Sequence, residues 1–372
     1  MLKVGVTGQQ GFVGQHLYNT LGLYPEQFER VDFKREYFED AALLNDFVSK
    51  CDVIVHLAAI NRHDDPQVIY DLNIQLVNRL AAALEDTKSK AHVLFSSSTQ
   101  EEKENLYGKS KKDGRKILEN WAAISGGKFT GLVIPNVFGP FGNPFYNSFV
   151  ATFCYQLTHD EIPTVDVDGE VKLIYVDELV AIIIQEVLSA ENSPLCVIKP
   201  TAIVKVSNVL MLLETFRATY FYSGVIPELN NKFELDLFNT FRSYIDLKTF
   251  FPVELKQHAD DRGTFVEVIR LGTGGQVSFS TTLPGVIRGN HYHTRKIERF
   301  AVIKGKARIH IRKINTDDVI CFDLSGDNPS FVDMPVWYTH NIENVGSEEL
   351  YTMFWINEFY DVNDPDTYLE QV

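Results

Sequence analysis

The stretch that decides the fold is TGQQGFVG at residues 7–14, which follows the apolar residues 4–6 and opens a helix-like segment. Its three glycines, Gly8, Gly11 and Gly14, permit a tight turn, a close approach of the backbone to a diphosphate, and close packing of helix on strand. The diphosphate would lie at the positive end of the helix dipole. The stretch therefore predicts the opening strand, turn and helix of a dinucleotide-binding fold.

Short apolar runs and helical periods alternate over the first 200 residues. The predicted strands are residues 30–33, 53–57, 92–95 and 131–134, and the predicted helices are residues 68–84, 109–124 and 204–222. Alternation of strand and helix is typical of a parallel sheet covered on both faces. The expected fold class of this part is an α/β doubly wound sheet of Rossmann type.

The pattern changes from about residue 253 onwards. Short β-type runs are separated there by Gly, Pro, Asp and Asn, at residues 276–279, 299–303, 307–311, 319–323 and 350–355. A series of short strands without long helical periods predicts a small antiparallel sandwich or barrel. We therefore predict two domains, residues 1–250 and residues 251–372.

Composition excludes several classes of partner. The 372 residues carry a formal net charge of −15, which argues against binding to nucleic acid or to an anionic membrane surface. No apolar run is long enough to insert into a membrane, and no targeting segment precedes the first predicted strand. The cysteines, Cys51, Cys154, Cys196 and Cys321, are far apart, which predicts reduced thiols and a cytoplasmic protein.

The end of the second predicted strand decides which dinucleotide is bound. Asp32 at that position would bind the ribose hydroxyls of NAD. Lys34 and Arg35 would instead suit the 2′-phosphate of NADP, with Asp32 pointing away from it, or they are a solvated loop. The two cations favour NADP(H) as the cofactor.

A tyrosine and a lysine four residues apart, Tyr107 and Lys111, lie on one face of a predicted helix. An ammonium group beside a phenol would depress the pKa of the phenol, so Tyr107 could act as an acid or base near neutral pH. Ser96, Ser97 and Ser98 end an upstream strand and could hold a carbonyl oxygen beside that phenol.

A second group of polar residues has the spacing of a metal site. His291 and His293 alternate on a predicted strand and so face the same way, Glu298 adds a carboxylate, and His340 follows further along the chain. Three imidazoles and one carboxylate suit Zn²⁺, Fe²⁺, Mn²⁺ or Ni²⁺. Ligand type alone does not choose among them, and we take zinc as the expected divalent metal. The spacing resembles both motifs of the cupin superfamily, which implies a C-terminal all-β cupin barrel.

The motifs of the first half resemble the extended short-chain dehydrogenase/reductase family. They comprise residues 7–14, 52–59, 96–98, 107–111, 135–140 and 175–178. The resemblance implies hydride transfer at a nucleotide-sugar carbon, with Tyr107 as proton donor, Lys111 on the nicotinamide ribose and Ser98, or else Ser97, on the carbonyl. It implies cofactor contacts from Gly8, Gly11, Phe12, Val13, Gly14, Lys34, Arg35, Leu57, Ala58, Ala59, Tyr107 and Lys111, and a substrate contact from Asn136.

Residues 261–267 and 285–291 resemble signatures of the 4-keto-6-deoxysugar-nucleotide 3,5-epimerases. The resemblance implies that Arg262 and Arg288 bind the nucleotide diphosphate. In that family the histidine that matches His291 is a base and no metal is present. The sequence therefore leaves two roles open for His291, that of a base and that of a metal ligand.

The two halves in this order resemble the CapF (WbjC) family of bifunctional capsular-polysaccharide and O-antigen enzymes. The resemblance implies a homodimer that acts on a UDP-linked 4-keto-6-deoxy amino sugar. The cupin would epimerise C3, and the reductase would then reduce C4 with NADPH. The product would be UDP-2-acetamido-2,6-dideoxy-L-talose, a precursor of UDP-N-acetyl-L-fucosamine. The alternatives are a plain 4-ketoreductase whose cupin serves dimerisation or sensing, and a nicotinamide-sensing protein without catalysis.

Overall fold

The chain divides into two compact units. The computed structural model describes residues 1–189, 191–261 and 263–372. The first unit comprises Met1–Thr152 and Asp166–Val206, and the second comprises Phe153–Val165 and Ser207–Val372. The predicted domain border after residue 250 lies further along the chain and stays a prediction.

The first unit alternates strands with helices. Its strands are β1 (Leu2–Thr7), β2 (Phe28–Val31), β3 (Val53–His56), β4 (His92–Ser98), β5 (Lys128–Ile134), β6 (Asn136–Phe138), β7 (Glu170–Tyr175), β8 (Ser193–Val197) and β9 (Ala202–Lys205). Its helices are α1 (Phe12–Leu21), α2 (Ala41–Lys50), α3 (Pro66–Asp86), α4 (Leu106–Ser125), the first part of α5 (Phe149–Thr158), and α6 (Val176–Leu188). Short 3₁₀ helices lie at Arg35–Glu39 and Thr99–Glu102.

The main sheet of this unit has the strand order β2-β1-β3-β4-β5-β8, and all of its neighbouring strands run parallel. Apolar clusters cover both faces of the sheet. One contains Phe47, Leu80 and Trp121 from α2, α3 and α4, and the other contains Leu17 and Leu179 from α1 and α6. The predicted doubly wound α/β sheet is confirmed.

Helix α4 has well-defined ends, and these fix where the Tyr107–Lys111 pair lies. The Asn105 side chain caps the first turn by accepting a hydrogen bond from the Gly108 amide at 2.7 Å. The helix ends at Gly126, whose φ of +73° is the left-handed conformation that glycine adopts without strain. Tyr107 is therefore held in the first turn of α4, beside the end of β4.

The second unit begins with helices and continues as strands. Helix α7 (Val206–Phe216) continues as a π-helical turn at Arg217–Phe221, and α8 (Lys232–Arg242) and α9 (Leu247–Phe250) follow. The strands are β10 (Val253–Glu254), β11 (Gln257–Asp260), β12 (Gly263–Val266), β13 (Gln276–Thr282), β14 (Ile287–Tyr292), β15 (Glu298–Lys304), β16 (Lys306–Lys313), β17 (Val319–Ser325), β18 (Ser330–Met334), β19 (Tyr338–Asn344), β20 (Leu350–Ile356) and β21 (Tyr368–Leu369).

The strands of the second unit form antiparallel sheets with the orders β10-β18-β15-β20-β13 and β17-β16-β19-β14-β21, and β11 pairs with β12. The two larger sheets share one apolar core, to which Phe300 and Val302 contribute from one sheet and Ile309 and Ile342 from the other. The predicted all-β architecture of this part is confirmed. In the part of the chain that the structure describes, no helix has the length and hydropathy needed to cross a bilayer.

Candidate functional site

The glycine-rich turn between β1 and α1 has a shape that only glycine allows. Gly8 has a φ of +76°, and a Cβ atom on it would lie 2.9 Å from the Ala58 amide nitrogen. A Cβ on Gly14 would lie 2.1 Å from the Gly8 carbonyl oxygen. Larger residues would therefore push the turn away from α1 and from the end of β3. The open cradle at the helix N-terminus fits the diphosphate of a nicotinamide dinucleotide.

A cavity of about 500 Å³ in the first unit joins this turn to the end of β4. It brings together the predicted residues Gly8, Gly11, Phe12, Val13, Gly14, Leu57, Ala59, Ser98, Tyr107, Lys111 and Asn136. Ala58 lies next to this lining, as its contact with Gly8 shows. Lys34 and Arg35 are exposed at the start of the short helix Arg35–Glu39 and do not line the cavity.

Tyr107 is the partly buried phenol of this cavity. Burial raises the pKa of Tyr107 to about 12, the hydrogen bond with Ser98 lowers that pKa, and the nearby Tyr146 raises it. The prediction that Lys111 depresses this pKa is wrong here, because desolvation outweighs any effect of the ammonium. A phenol with a raised pKa stays protonated at neutral pH. It is therefore prepared to donate a proton to an oxygen that becomes basic during a reduction.

Lys111 lies behind the phenol. Its side chain is only 4% exposed, its ammonium nitrogen donates a hydrogen bond to the Ser96 carbonyl oxygen at 2.9 Å, and it lies 5.8 Å from the centre of the Tyr107 ring. Burial lowers the pKa of Lys111 to about 8, although the negative charge of Glu101 raises that pKa. Burial of the charged ammonium group therefore lowers the free energy of unfolding of the protein.

We expect Lys111→Met to make the folded protein more stable at pH 7 while it disables the cavity. The pKa of Lys111 falls from 10.5 to about 8 on folding, which makes burial of its charge unfavourable by about 3 kcal/mol. Because the unfolded chain holds this proton more tightly, the contribution of Lys111 becomes more favourable as the pH rises from about 8 to 10.5. The gap in unfolding free energy between the variant and the wild type should narrow by about 2 kcal/mol between pH 7 and pH 9.5.

Denaturant unfolding at both pH values measures this gap. Lys112→Met is the matched control, because Lys112 is an exposed lysine on the same helix. A gap for Lys111→Met that does not change with pH would show that the charge of Lys111 is not buried at a cost.

The structure separates the two serines that the sequence leaves open. Ser98 hydrogen-bonds with Tyr107, whereas the Ser97 hydroxyl donates to the Glu101 carboxylate. Glu101 is in turn paired with Arg115 at 2.9 Å, and both side chains are largely buried. Ser97 therefore belongs to an ion-pair network, and Ser98 is the serine that lies beside the phenol.

Asn73 on α3 is a residue that the sequence analysis missed. Its side-chain amide donates to the Ile60 carbonyl at 2.9 Å and to the Ser110 hydroxyl at 3.1 Å, while its carbonyl accepts from the Ile60 amide at 2.8 Å. It thus ties the loop after β3 to the helix that carries Tyr107 and Lys111. A lone asparagine inside a helical period gives no sequence signal for this role.

A cluster of three histidines and one glutamate lies in the second unit. His291, His293, Glu298 and His340 place one ligand atom each within 4.8 Å of one another. His291 and His340 are paired across β14 and β19, and Glu298 begins β15 in the other sheet. The ladder between β14 and β19 shifts register between Gly289 and His291, and Asn290 in this bulge has a φ of +62°. The bulge turns the histidines towards the carboxylate of the facing sheet.

The hydrogen-bond partners of the His293 and His340 imidazoles indicate that the cluster fits a cation. The Nδ1 atoms of His293 and His340 lie 2.5 Å and 3.1 Å from the carbonyl oxygens of Asp366 and Tyr338, to which they donate in the neutral state. Both Nε2 atoms then carry lone pairs, and they lie 3.0 Å and 3.1 Å from one Glu298 oxygen. Lone pairs that face a carboxylate at this range need a proton or a metal ion between them.

The pKa of His291, the third histidine of the cluster, also suits the binding of a metal ion. Burial lowers the pKa of His291 to about 4, and the neighbouring His340 and His293 lower it further. His291 is therefore neutral at pH 7, which is the form that binds metal. Burial raises the pKa of Glu298, but without a metal ion a proton on the Nε2 atom of His293 or His340 bonds to the carboxylate and holds that pKa well below its ordinary value. Burial lowers the pKa of His293, and the bond with Glu298 outweighs burial and raises it. The cluster thus offers three imidazoles and one carboxylate, a donor set that zinc accepts.

Asp366 orients this cluster from a distance in the sequence. Its backbone carbonyl accepts the His293 proton, and its buried carboxylate accepts from the amides of Thr294, Arg295 and Lys296 at 2.9–3.0 Å. The turn that follows His293 is therefore held in place by one side chain. Asp366 was not predicted as a site residue, because nothing in its local pattern distinguishes it from other loop aspartates.

Of the two arginines predicted to bind the diphosphate, the structure describes Arg288. Arg288 is exposed on β14 opposite Ile342, so it projects to the face of the sheet that also carries His340. Arg262 lies outside the described residues. Its role stays a prediction.

Comparison with known families identifies the chain. The NAD dependent epimerase/dehydratase family matches residues 4–194, and the polysaccharide biosynthesis C-terminal domain matches residues 258–368. The glycine turn and the Tyr107–Lys111 pair both lie within the first match. The chain therefore belongs to the NAD dependent epimerase/dehydratase family, which supports a nicotinamide cofactor.

Two of the relatives found are similar along nearly the whole chain, and a third is similar to part of it. The UDP-2-acetamido-2,6-beta-L-arabino-hexul-4-ose reductase of Pseudomonas aeruginosa is 34% identical over 370 residues, which are 99% of this chain and 98% of the relative. The crystal structure of the capsular polysaccharide assembling protein CapF from Staphylococcus aureus is 34% identical, covers 100% of both chains and has a TM-score of 0.61. The spore coat polysaccharide biosynthesis protein SpsL of Bacillus subtilis is 28% identical over 123 residues, 30% of this chain and 82% of SpsL. The predicted resemblance to the CapF family is confirmed.

Proposed function

We propose that this protein is a bifunctional enzyme that epimerises C3 of a UDP-linked 4-keto-6-deoxy amino sugar and then reduces C4 with NADPH. The product would be UDP-2-acetamido-2,6-dideoxy-L-talose, a precursor of UDP-N-acetyl-L-fucosamine for capsule or O-antigen synthesis. The observation that carries the proposal is the cavity that places Ser98, Tyr107 and Lys111 beside the glycine turn. The printed names of the full-length relatives supply the class of substrate.

The reductase half follows from the residues of that cavity. A bound nicotinamide dinucleotide would supply the hydride. The Ser98 hydroxyl, already hydrogen-bonded to Tyr107, orients the C4 carbonyl oxygen of the sugar. Tyr107 Oη gives its proton to this oxygen as the oxygen gains negative charge, and the Lys111 ammonium stabilises the phenolate that remains. The other cofactor contacts remain those proposed from the sequence, Leu57, Ala58 and Ala59 among them.

The epimerase half would use the second unit, for which we propose a cupin barrel. A ketone at C4 acidifies the proton on C3, so that a base can remove it and leave an enolate. His291, His293, Glu298 and His340 would hold one divalent metal, with zinc favoured, and the metal would supply positive charge for such an enolate. Arg262 and Arg288 would bind the diphosphate, while Asn136 would bind the sugar in the reductase site. Reduction at C4 then removes the acidity and fixes the new configuration at C3.

Incubation of the UDP-4-keto sugar with the full-length protein in D₂O without NADPH tests this proposal. We expect deuterium at C3, detected by mass spectrometry and NMR, because proton exchange there requires no hydride. Addition of NADPH should then give the reduced sugar with deuterium retained. Reduction without any exchange would favour a plain ketoreductase, and the absence of both would overturn the proposal.

The choice of NADPH depends on Lys34 and Arg35. Both side chains are exposed beside the end of β2, where they can meet a 2′-phosphate through charge-assisted hydrogen bonds. Replacing both by alanine should raise the KM for NADPH at least about tenfold and leave the KM for NADH nearly unchanged. Steady-state kinetics with both cofactors measures this effect. Equal effects on the two cofactors would place these residues in a solvated loop.

The proposed setting is the cytoplasm, and the proposed assembly is a homodimer. All four cysteines are free, as expected for a protein of a reducing compartment. Sedimentation of the full-length protein measures the oligomeric state directly.

A further inference from the structure

Asp32 occupies the position at which an acidic residue selects NAD. It directly follows β2, and the pairing of Gly5 with Val31 in the parallel ladder sets it level with Val6, two residues before the glycine turn. The Gln9 side chain accepts a hydrogen bond from the Phe33 amide at 3.3 Å and ties the turn to the same strand end. A carboxylate here would bind the ribose 2′-hydroxyl of NAD and would repel the 2′-phosphate of NADP.

The Asp32 carboxylate is held by another residue. The Tyr18 hydroxyl on α1 donates a hydrogen bond to Asp32 Oδ1 at 2.5 Å. Val31 and Phe33 pack against the apolar cluster that contains Phe47, so Asp32 between them projects to the opposite face, where α1 lies. The carboxylate is not part of the cavity lining.

The ring of Tyr18 is itself fixed by Arg30. The guanidinium carbon of Arg30 lies 4.4 Å from the centre of the Tyr18 ring, and Arg30 also donates to the Tyr18 carbonyl oxygen at 3.1 Å. The guanidinium fits against Gly22, where a Cβ would come within 2.7 Å of it. The Tyr18 ring is therefore oriented by its contact with Arg30, and its hydroxyl is not aimed at Asp32 by the hydrogen bond alone.

We propose that Tyr18 is a specificity-determining positioning residue, which withholds the Asp32 carboxylate from the cofactor ribose and so shifts the preference of the site towards NADPH. This inference rests on the proposed binding of the cofactor at the glycine turn. Lys34 and Arg35 attract the 2′-phosphate, whereas Tyr18 removes the group that would repel it. The two effects are separate and can be tested separately.

Fluorescence titration of the full-length protein with NADPH and NADH tests the inference without any sugar substrate. In Tyr18→Phe the freed carboxylate should weaken NADPH and strengthen NADH, and the ratio of Kd for NADH to Kd for NADPH should fall about tenfold. Adding Asp32→Asn to this variant should restore the affinity for NADPH, because the amide cannot repel the phosphate. Tyr24→Phe is the control, because Tyr24 is an exposed tyrosine in the loop after α1.

An unchanged ratio in Tyr18→Phe overturns the inference. This includes an equal loss of affinity for both cofactors, which would give Tyr18 a purely structural role. The ratio in Tyr18→Phe is independent of the ratio in the Lys34/Arg35 double variant. If the proposed NADP preference is wrong, the wild type will prefer NADH. If the Tyr18 inference is wrong, the ratio of Kd for NADH to Kd for NADPH will be the same in Tyr18→Phe as in the wild type.

Discussion

Tyr107→Phe is expected to slow NADPH oxidation by about 10²–10⁴-fold, because it removes the only proton that the phenol can donate to the C4 oxygen. The raised pKa of Tyr107, about 12, means that the wild-type phenol is fully protonated at pH 7. The loss should therefore be seen in kcat rather than in KM, since the proton moves only in the transition state. Single-turnover NADPH fluorescence measures it.

Exchange at C3 provides the internal control for this variant. Deuterium incorporation should survive in Tyr107→Phe, because the proposed C3 chemistry belongs to the second unit. Tyr70→Phe is a matched control variant, because Tyr70 lies on α3 outside the cavity lining and its hydroxyl donates to Asp113 of α4. NADPH oxidation at the wild-type rate in Tyr107→Phe would contradict the assignment of this residue as proton donor.

His293→Ala is expected to release the metal from the second unit. Loss of a ligand whose Nε2 lies 3.0 Å from the Glu298 oxygen should weaken metal binding more than about 100-fold, the upper range seen for outer-shell partners. If the wild type holds its metal at about 1,000 times Kd, complete loss of binding should reduce the stability of the second unit by about 4 kcal/mol, and a 100-fold loss by about 3 kcal/mol. Elemental analysis and thermal unfolding measure the two effects.

The exchange rate of the same variant decides what the metal does. Lost metal with lost C3 exchange would make the ion catalytic, whereas lost metal with unchanged exchange would make it structural. Affinity for NADPH should be unchanged in both cases, because the glycine turn belongs to the first unit. His258→Ala is the control for removing a histidine, because His258 is exposed on β11. Full metal occupancy in His293→Ala would show that the ligands are wrongly assigned.

Periodicity predicted the elements of the first unit well, because each of them has an apolar face of its own. The predicted helices at residues 68–84 and 109–124 correspond to α3 and α4, and the predicted strands correspond to β2–β5. Helix α8 was not predicted. Its buried face includes Asp236, Asn239 and Arg242, and such polar residues obscure the apolar period on which the prediction depends.

The site residues were predictable where chemistry and spacing coincide, as in the three histidines and Glu298. What the sequence could not supply depends on burial and on distant partners. The pKa of Tyr107 was expected to be lowered by Lys111, and it is raised chiefly by desolvation of the phenol, which no local sequence pattern shows. The choice between Ser97 and Ser98 likewise depended on the side chain of Glu101, which lies in a short helix that no period revealed.

The contact between His293 and Asp366 means that the histidine cluster can reach its final arrangement only after the chain has been made as far as Asp366. The two residues are 73 positions apart, so a ribosome that adds about 5–20 residues per second releases His293 several seconds before its orienting carbonyl. Until then the imidazole is free to present either nitrogen. Before Asp366 is made, the histidines of the nascent chain would therefore bind cations with little selectivity, and selective binding of one metal would come late in folding. A metal ion bound here would complete a unit that has an apolar core of its own, unlike the small zinc domains in which the ion starts the folding.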